Sequence, residues 1–134
     1  MNHQLFYKEL GRLLYAIAAA DGKVADKEVA MLKKVVKEQL VPLENSTDHF
    51  GSDQAFIAEY EFEVLADRSA EADGCFDSFI AYISQHLEEL TPELKKLILG
   101  MADAVGDSFH GTNKHELAYL IELRKELAKA RSEA

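Results

Sequence analysis

The spacing of its apolar residues is the feature that most constrains how this chain can fold. Apolar residues recur three and four positions apart along most of the 134 residues, and no segment shows the strict alternation typical of a strand. The first such stripe consists of Phe6, Leu10, Leu13, Leu14 and Ile17. Because this period is that of an amphipathic helix, the sequence predicts an all-α fold, a multihelical bundle.

Breaks in this pattern divide the chain into six predicted helices. Asp21-Gly22 interrupts the first stripe, and Pro42 follows the second helix. Thr91 and Pro92 begin the fifth, with threonine as the cap and proline at the first helical position. The predicted helices span residues 4–19, 26–40, 53–67, 74–88, 92–105 and 113–129. We expect the third and sixth to face inward through Phe56, Tyr60 and Val64, and through Leu117, Leu120, Ile121 and Leu127.

The size of the chain and an internal similarity predict its organisation. A mass of 15.0 kDa is enough for one hydrophobic core, so we expect a single domain over residues 1–134. Two predicted hairpins, 4–40 and 91–129, flank central acidic helices within 53–88. Glu28 of the first hairpin aligns with Glu116 of the second, which suggests a pseudo-duplicated bundle. Chance similarity between two amphipathic hairpins is the alternative explanation.

Acidic residues are concentrated in the middle of the chain. The formal net charge is −9, and residues 41–94 contain one basic residue, Arg68, against 13 acidic ones. Such a field disfavours nucleic acid and anionic membrane surfaces, both of which need a basic surface. It favours a basic partner, and the alternative is an acidic surface that only maintains solubility.

Three further features indicate the compartment. Cys75 is the only cysteine, so no disulfide can form within the chain. The longest apolar run, residues 13–20, is far shorter than a membrane span. The first residues lack a basic stretch followed by an apolar one, which predicts no secretory signal. We therefore expect a cytoplasmic protein that does not insert into membranes, with Cys75 as a buried structural thiol.

Residues 20–28 carry a short motif with a family resemblance. Ala20-Asp21-Gly22 is followed by the aliphatic Val24 and by Glu28, seven positions after the aspartate. This segment resembles the signature of the TerB-like family, helical domains named after a tellurite-resistance protein. The resemblance implies an all-α bundle, a cytoplasmic role associated with stress, a divalent-cation site of acidic side chains and no enzymatic activity.

Two carboxylates near the first predicted turn are the main candidate metal ligands. A hairpin turn would bring Asp21 close to Glu28, with Asp26 beside them, and carboxylates are the ligands that hard cations prefer. Asp107 and Glu116 are weaker candidates around the second turn, and the cation could be calcium, magnesium or zinc. The alternative is that these residues only cap helices and stabilise their positive ends.

No motif of a known catalytic site occurs in the sequence, so we expect a protein that is not an enzyme. Two functions then remain open. One is a cation-binding or stress-response module of the TerB-like kind. The other is a protein-interaction module whose acidic face, within residues 44–93, docks a basic or membrane-associated partner through Glu59, Glu61 and Glu63. The oligomeric state has no signature in the sequence.

Overall fold

The computed structural model of the protein describes the backbone of residues 3–20, 24, 26–35, 51–109 and 114–132. Side chains are described within residues 4–20, 24, 29–34, 56–106 and 117–129. This part of the chain contains helices and turns and no strand, so the predicted all-α fold is confirmed. The α-helices are α1 (His3–Ala18), α2 (Asp26–Val35), α3 (Gly51–Asp67), α4 (Ala72–Gln85), α5 (Pro92–Phe109) and α6 (Lys114–Ser132). A short 3₁₀ turn, Leu87–Glu89, joins α4 to α5.

Helix α1 is the centre of the bundle. It packs against α3, α4 and α5, and its apolar stripe is buried as the spacing predicts. Helix α2 packs against α3 and α5, whereas α6 packs against α4 and α5. The core is one cluster to which every one of these helices contributes. None of the helices in the described part of the chain has the length and apolar character needed to cross a bilayer.

Helices α1 and α3 approach each other closely at Gly11 of α1. A β-carbon at this position would lie 2.5 Å from the carbonyl oxygen of Ala58 and 3.0 Å from the Cβ of Glu61, both on α3. The two backbones can therefore meet only because position 11 has no side chain and position 58 has a small one. This contact fixes which face of α3 points into the core.

The C-terminal end of α3 and the N-terminal end of α5 are each fixed by a hydrogen bond of a different kind. Ser69 has a φ of +50°, and the Ala70 N–H donates to the Leu65 carbonyl oxygen at 3.0 Å, which ends α3 in a left-handed turn. The Leu94 N–H donates to Thr91 Oγ at 3.2 Å, so the predicted threonine cap of α5 is confirmed.

The predicted inward face of α3 is wrong, and that of α6 is right only in part. Among the described side chains of α3 the buried ones are Ala58, Phe62 and Leu65, whereas Phe56 and Tyr60 are exposed and Val64 is half-buried. On α6 Leu127 is buried as predicted and Leu120 is half-buried against the core, whereas Leu117 and Ile121 are exposed. Both helices carry apolar residues on more than one face, so periodicity alone does not identify the face that packs.

Helix α5 is also longer than predicted. It continues through Gly106 and ends at Phe109 instead of near Val105. A single glycine inside a helix costs only about 1 kcal/mol, which the packing of Val105 in the core offsets. Asp107 therefore lies in the last helical turn and not in a loop. The pseudo-duplication of the two hairpins stays a prediction.

Candidate functional site

The predicted cation ligands lie at helix ends. Asp26 and Glu28 are in the first turn of α2, Asp107 is in the last turn of α5, and Glu116 is in the first turn of α6. Asp21 lies outside the described residues, and so do the side chains of the other four. Among the side chains that are described, no group of three or more His, Cys, Asp or Glu residues could hold a metal ion. The cation site therefore stays a prediction.

The three glutamates of the predicted acidic face differ in how far they are exposed. Glu61 is largely buried and accepts a hydrogen bond from Arg12 Nε at 3.0 Å, so it is part of the protein interior. Glu63 forms an ion pair with Lys33 of α2, and Glu59 Oε1 lies 4.0 Å from the same ammonium group. Of the three residues, only Glu63 is appreciably exposed, at 36% of its side chain. The expectation that all three glutamates face a partner is wrong for Glu61.

The most exposed large apolar side chains of the described residues lie on α3. Phe56 is 52% exposed and Tyr60 is 68% exposed. Together with Glu63 and the exposed Asp67 they recur at spacings of four, three and four residues, which puts them on one face of the helix. We call these four residues the α3 stripe. It lies opposite the buried face formed by Ala58, Phe62 and Leu65.

A groove of about 540 Å³ runs between α2 and α3 beside this stripe. Its apolar walls are formed by Val24, Val29, Val64 and Ala66, and Tyr60, Glu63 and Asp67 complete the lining. The surface thus combines two aromatic rings, an apolar floor and carboxylates at one end. This combination suits a partner with apolar and basic side chains.

A buried polar cluster joins α1, α3 and α4 in the interior. Arg12 Nη1 donates to Glu9 Oε2 at 2.8 Å and to Ser78 Oγ at 2.9 Å, while its Nε donates to Glu61. The Ser78 hydroxyl in turn donates to Glu9 Oε1 at 2.9 Å. Glu9 is only 6% exposed, and these bonds compensate its removal from water. The cluster orients three helices, and its polar atoms are occupied by one another.

Sequence analysis missed this cluster, although a signal was present. Glu9 and Arg12 are a charged pair three residues apart inside the otherwise apolar first stripe. Such a pair at the edge of a buried helix face needs partners from other helices. Their identity, Glu61 and Ser78, depends on the packing and could not be derived from spacing.

Cys75 lies beside this cluster and is buried, as the sequence predicted. Burial raises the pKa of the Cys75 thiol, and the nearby Arg12 charge opposes that shift. A thiol with a raised pKa in a buried position is a poor nucleophile. The structural role expected for Cys75 therefore agrees with its environment.

A second polar contact links α4 to α6. The Tyr119 hydroxyl donates to Asp73 Oδ1, and the Tyr119 ring stacks on Phe76 with centroids 4.5 Å apart. Burial raises the pKa of Tyr119, and the hydrogen bond to the Asp73 carboxylate raises it further. Asp73 lies in the first turn of α4, whereas Glu71 occupies the cap position. The Asp73 carboxylate fixes α6.

Comparison of the chain with protein-family models, with curated proteins and with solved structures gives no match. The functional argument therefore depends on the chemistry of the surfaces described above.

Proposed function

We propose that this chain is a TerB-like helical module that binds a protein partner, and that its α3 stripe docks a basic amphipathic helix. The exposure of Phe56 and Tyr60 on one face of α3, with Tyr60 lining a groove that has apolar and acidic walls, carries this proposal. Aromatic residues next to a concave apolar surface are typical of the residues that dominate binding energy at protein interfaces. Helix-in-groove docking is a common way of using such a surface.

The charge of the partner follows from the charge of the stripe. Glu63 and Asp67 both line the groove beside the stripe, and the charged side chains among the described residues of this lining are acidic. The whole chain carries a formal charge of −9. Basic side chains on the partner would gain from this field, and the gain would fall as salt is added.

A synthetic helical peptide of leucine and lysine tests this proposal. We expect saturable binding in a calorimetric titration, with weaker binding at high salt. The double variant Phe56→Ser with Tyr60→Ser should weaken binding at least tenfold, because aromatic anchors contribute about 2 kcal/mol or more. Since both side chains are exposed, the variant should keep its fold, which circular dichroism checks.

Two controls make this experiment specific. Leu5 on α1 is 42% exposed and lies outside the groove lining, so Leu5→Ser should leave binding unchanged. A peptide with glutamate in place of lysine should bind more weakly to every variant. Equal affinity of wild type and the Phe56/Tyr60 variant for the basic peptide would refute docking on the α3 stripe.

A second candidate function is cation binding at the start of α2. The observation in its favour is that α2 begins at Asp26, which puts Asp26 and Glu28 in the first turn of this helix. In the sequence, Asp21 precedes the start of α2 by five residues. Calorimetric titration of chelator-treated protein with calcium, magnesium and zinc tests this function. The double variant Asp21→Asn with Glu28→Gln should abolish the heat of binding. An affinity no stronger than about millimolar in wild type would leave these carboxylates as helix caps.

A further inference from the structure

A second exposed apolar surface lies on α6. Leu117 is 47% exposed and Ile121 is 48% exposed, although both have the size and polarity of core residues. Arg124 and Ala128 are exposed on the same face of the helix, since the four positions are separated by four, three and four residues. We call these four residues the α6 stripe.

Basic residues border this stripe. A groove of about 510 Å³ between α5 and α6 is lined by Lys95, Lys96 and Arg124 over apolar walls, and the described residues of its lining include no carboxylate. Its walls are Pro92, Leu99, Leu127 and Ala128. Arg124 Nη2 contacts Asp103 Oδ2 at 3.1 Å, and Lys95 and Lys96 add two further positive charges to the described lining. This is the reverse of the charge balance beside the α3 stripe.

The two stripes also match in spacing. The α3 stripe has two large apolar residues followed by Glu63 and Asp67, and the α6 stripe has two large apolar residues followed by Arg124 and Ala128. Each stripe covers eleven helical steps, or about 16 Å. A parallel arrangement would put Phe56 and Tyr60 against Leu117 and Ile121. An antiparallel arrangement would put Glu63 against Ile121 and Asp67 against Leu117, so that neither carboxylate would meet Arg124.

We propose that the partner of the α3 stripe is the α6 stripe of a second copy of this chain. The proposal extends the proposed function, because it names the basic amphipathic helix that docks. Phe56 and Tyr60 pack against Leu117 and Ile121 of the next copy, while Glu63 meets Arg124. Two different surfaces meet, so each copy carries one of each, and successive head-to-tail contacts would build chains or rings of copies.

Complementary variants test this arrangement in the full chain. The variant with Phe56→Ser and Tyr60→Ser has lost the α3 stripe, and the variant with Leu117→Ser and Ile121→Ser has lost the α6 stripe. Sedimentation velocity of wild type from about 1 μM to 1 mM, the range of weak complexes, should show an average mass that rises well above 15.0 kDa. Each variant alone should stay at the monomer mass. Their mixture should form a pair of twice that mass and nothing larger, because only one functional contact remains.

Charge reversal gives an independent test that leaves the apolar residues in place. Glu63→Lys alone and Arg124→Glu alone should each weaken association by about tenfold, since each puts like charges together. A chain with both substitutions should regain the wild-type mass distribution, because the opposite charges meet again in reversed order. The control Leu5→Ser should associate as wild type does.

Several outcomes would overturn self-docking. They are a wild type that stays at 15.0 kDa throughout, a mixture of the two stripe variants that does not pair, or one stripe variant that still dimerises alone. The last result would show a symmetric contact through a single surface. The leucine–lysine peptide separates this failure from failure of the proposed function. Peptide binding that depends on Phe56 and Tyr60, without self-association, keeps the docking surface and rejects the second copy as its occupant.

Discussion

Replacing Gly11 by alanine tests the packing argument most directly. The added Cβ would lie 2.5 Å from the Ala58 carbonyl oxygen, and an ordinary van der Waals contact begins at about 3.4 Å. The obstructing atom belongs to the α3 backbone and cannot rotate away. Helices α1 and α3 must therefore separate by several tenths of an ångström at the contact that fixes their relative position.

Two opposing contributions determine how much Gly11→Ala changes the free energy of unfolding. In a helix interior, alanine is more favourable than glycine by about 0.5–1 kcal/mol. Adding a methylene-sized group to a close-packed contact costs about 1–3 kcal/mol, and the loosened neighbours lose part of their dispersion energy. We expect Gly11→Ala to lower the free energy of unfolding by about 1–2 kcal/mol. For a chain of this length that corresponds to a Tm lower by about 4–8 °C.

Urea unfolding followed by far-ultraviolet circular dichroism measures this difference. Gly100 of α5 is the matched control, because a Cβ there would meet nothing within 4 Å. Gly100→Ala should raise the free energy of unfolding by about 0.5–1 kcal/mol. The opposite signs of the two substitutions are the expected result. Stabilisation of the Gly11→Ala protein by as much as Gly100→Ala would refute close packing at position 11.

Two further predictions concern buried hydroxyl groups. The Tyr15 hydroxyl donates to the Ala70 carbonyl oxygen at 2.8 Å, so Tyr15→Phe should lower the free energy of unfolding by about 1 kcal/mol. The buried Tyr82 hydroxyl has no partner among the described residues, so Tyr82→Phe should leave the free energy of unfolding unchanged or raise it. Urea midpoints compare the two, and equal losses would contradict this reasoning. Burial raises the pKa of Cys75 and Tyr119 above their ordinary values of 9.0 and 10.0, so stability is complete below those values and falls as pH rises beyond them. Tyr119→Phe should flatten the decline in midpoint above about pH 10, and an unchanged slope there would contradict this assignment.

Much of the helical architecture could be predicted from local patterns. The stripe of α1, the threonine cap of α5 and the burial of Cys75 follow from spacing and residue type. These features depend on interactions within a few residues, which the sequence contains in full. The end of α5 was placed too early because a glycine stops a helix only when no packing supports the next turn.

The candidate docking surface could not be predicted in the same way. The residues that form it, Phe56, Tyr60, Leu117 and Ile121, were expected in the core because they are large and apolar. Each belongs to a helix with a second apolar face that satisfies the same period. The sequence does predict the excess of carboxylates in the central region, whereas the outward direction of Phe56 and Tyr60 follows only from the packing.

The helical class and most helix boundaries follow from interactions between neighbours along the chain, and the charge of the central region follows from its residue types. Which helix faces pack depends on contacts between distant segments. Gly11 admits the α3 backbone at Ala58, so that Phe62 and Leu65 turn inward and Phe56 and Tyr60 outward. Close packing requires that the surfaces of segments far apart in the sequence fit each other. The absence of one β-carbon at such a contact therefore decides which of two apolar faces of similar size packs inward.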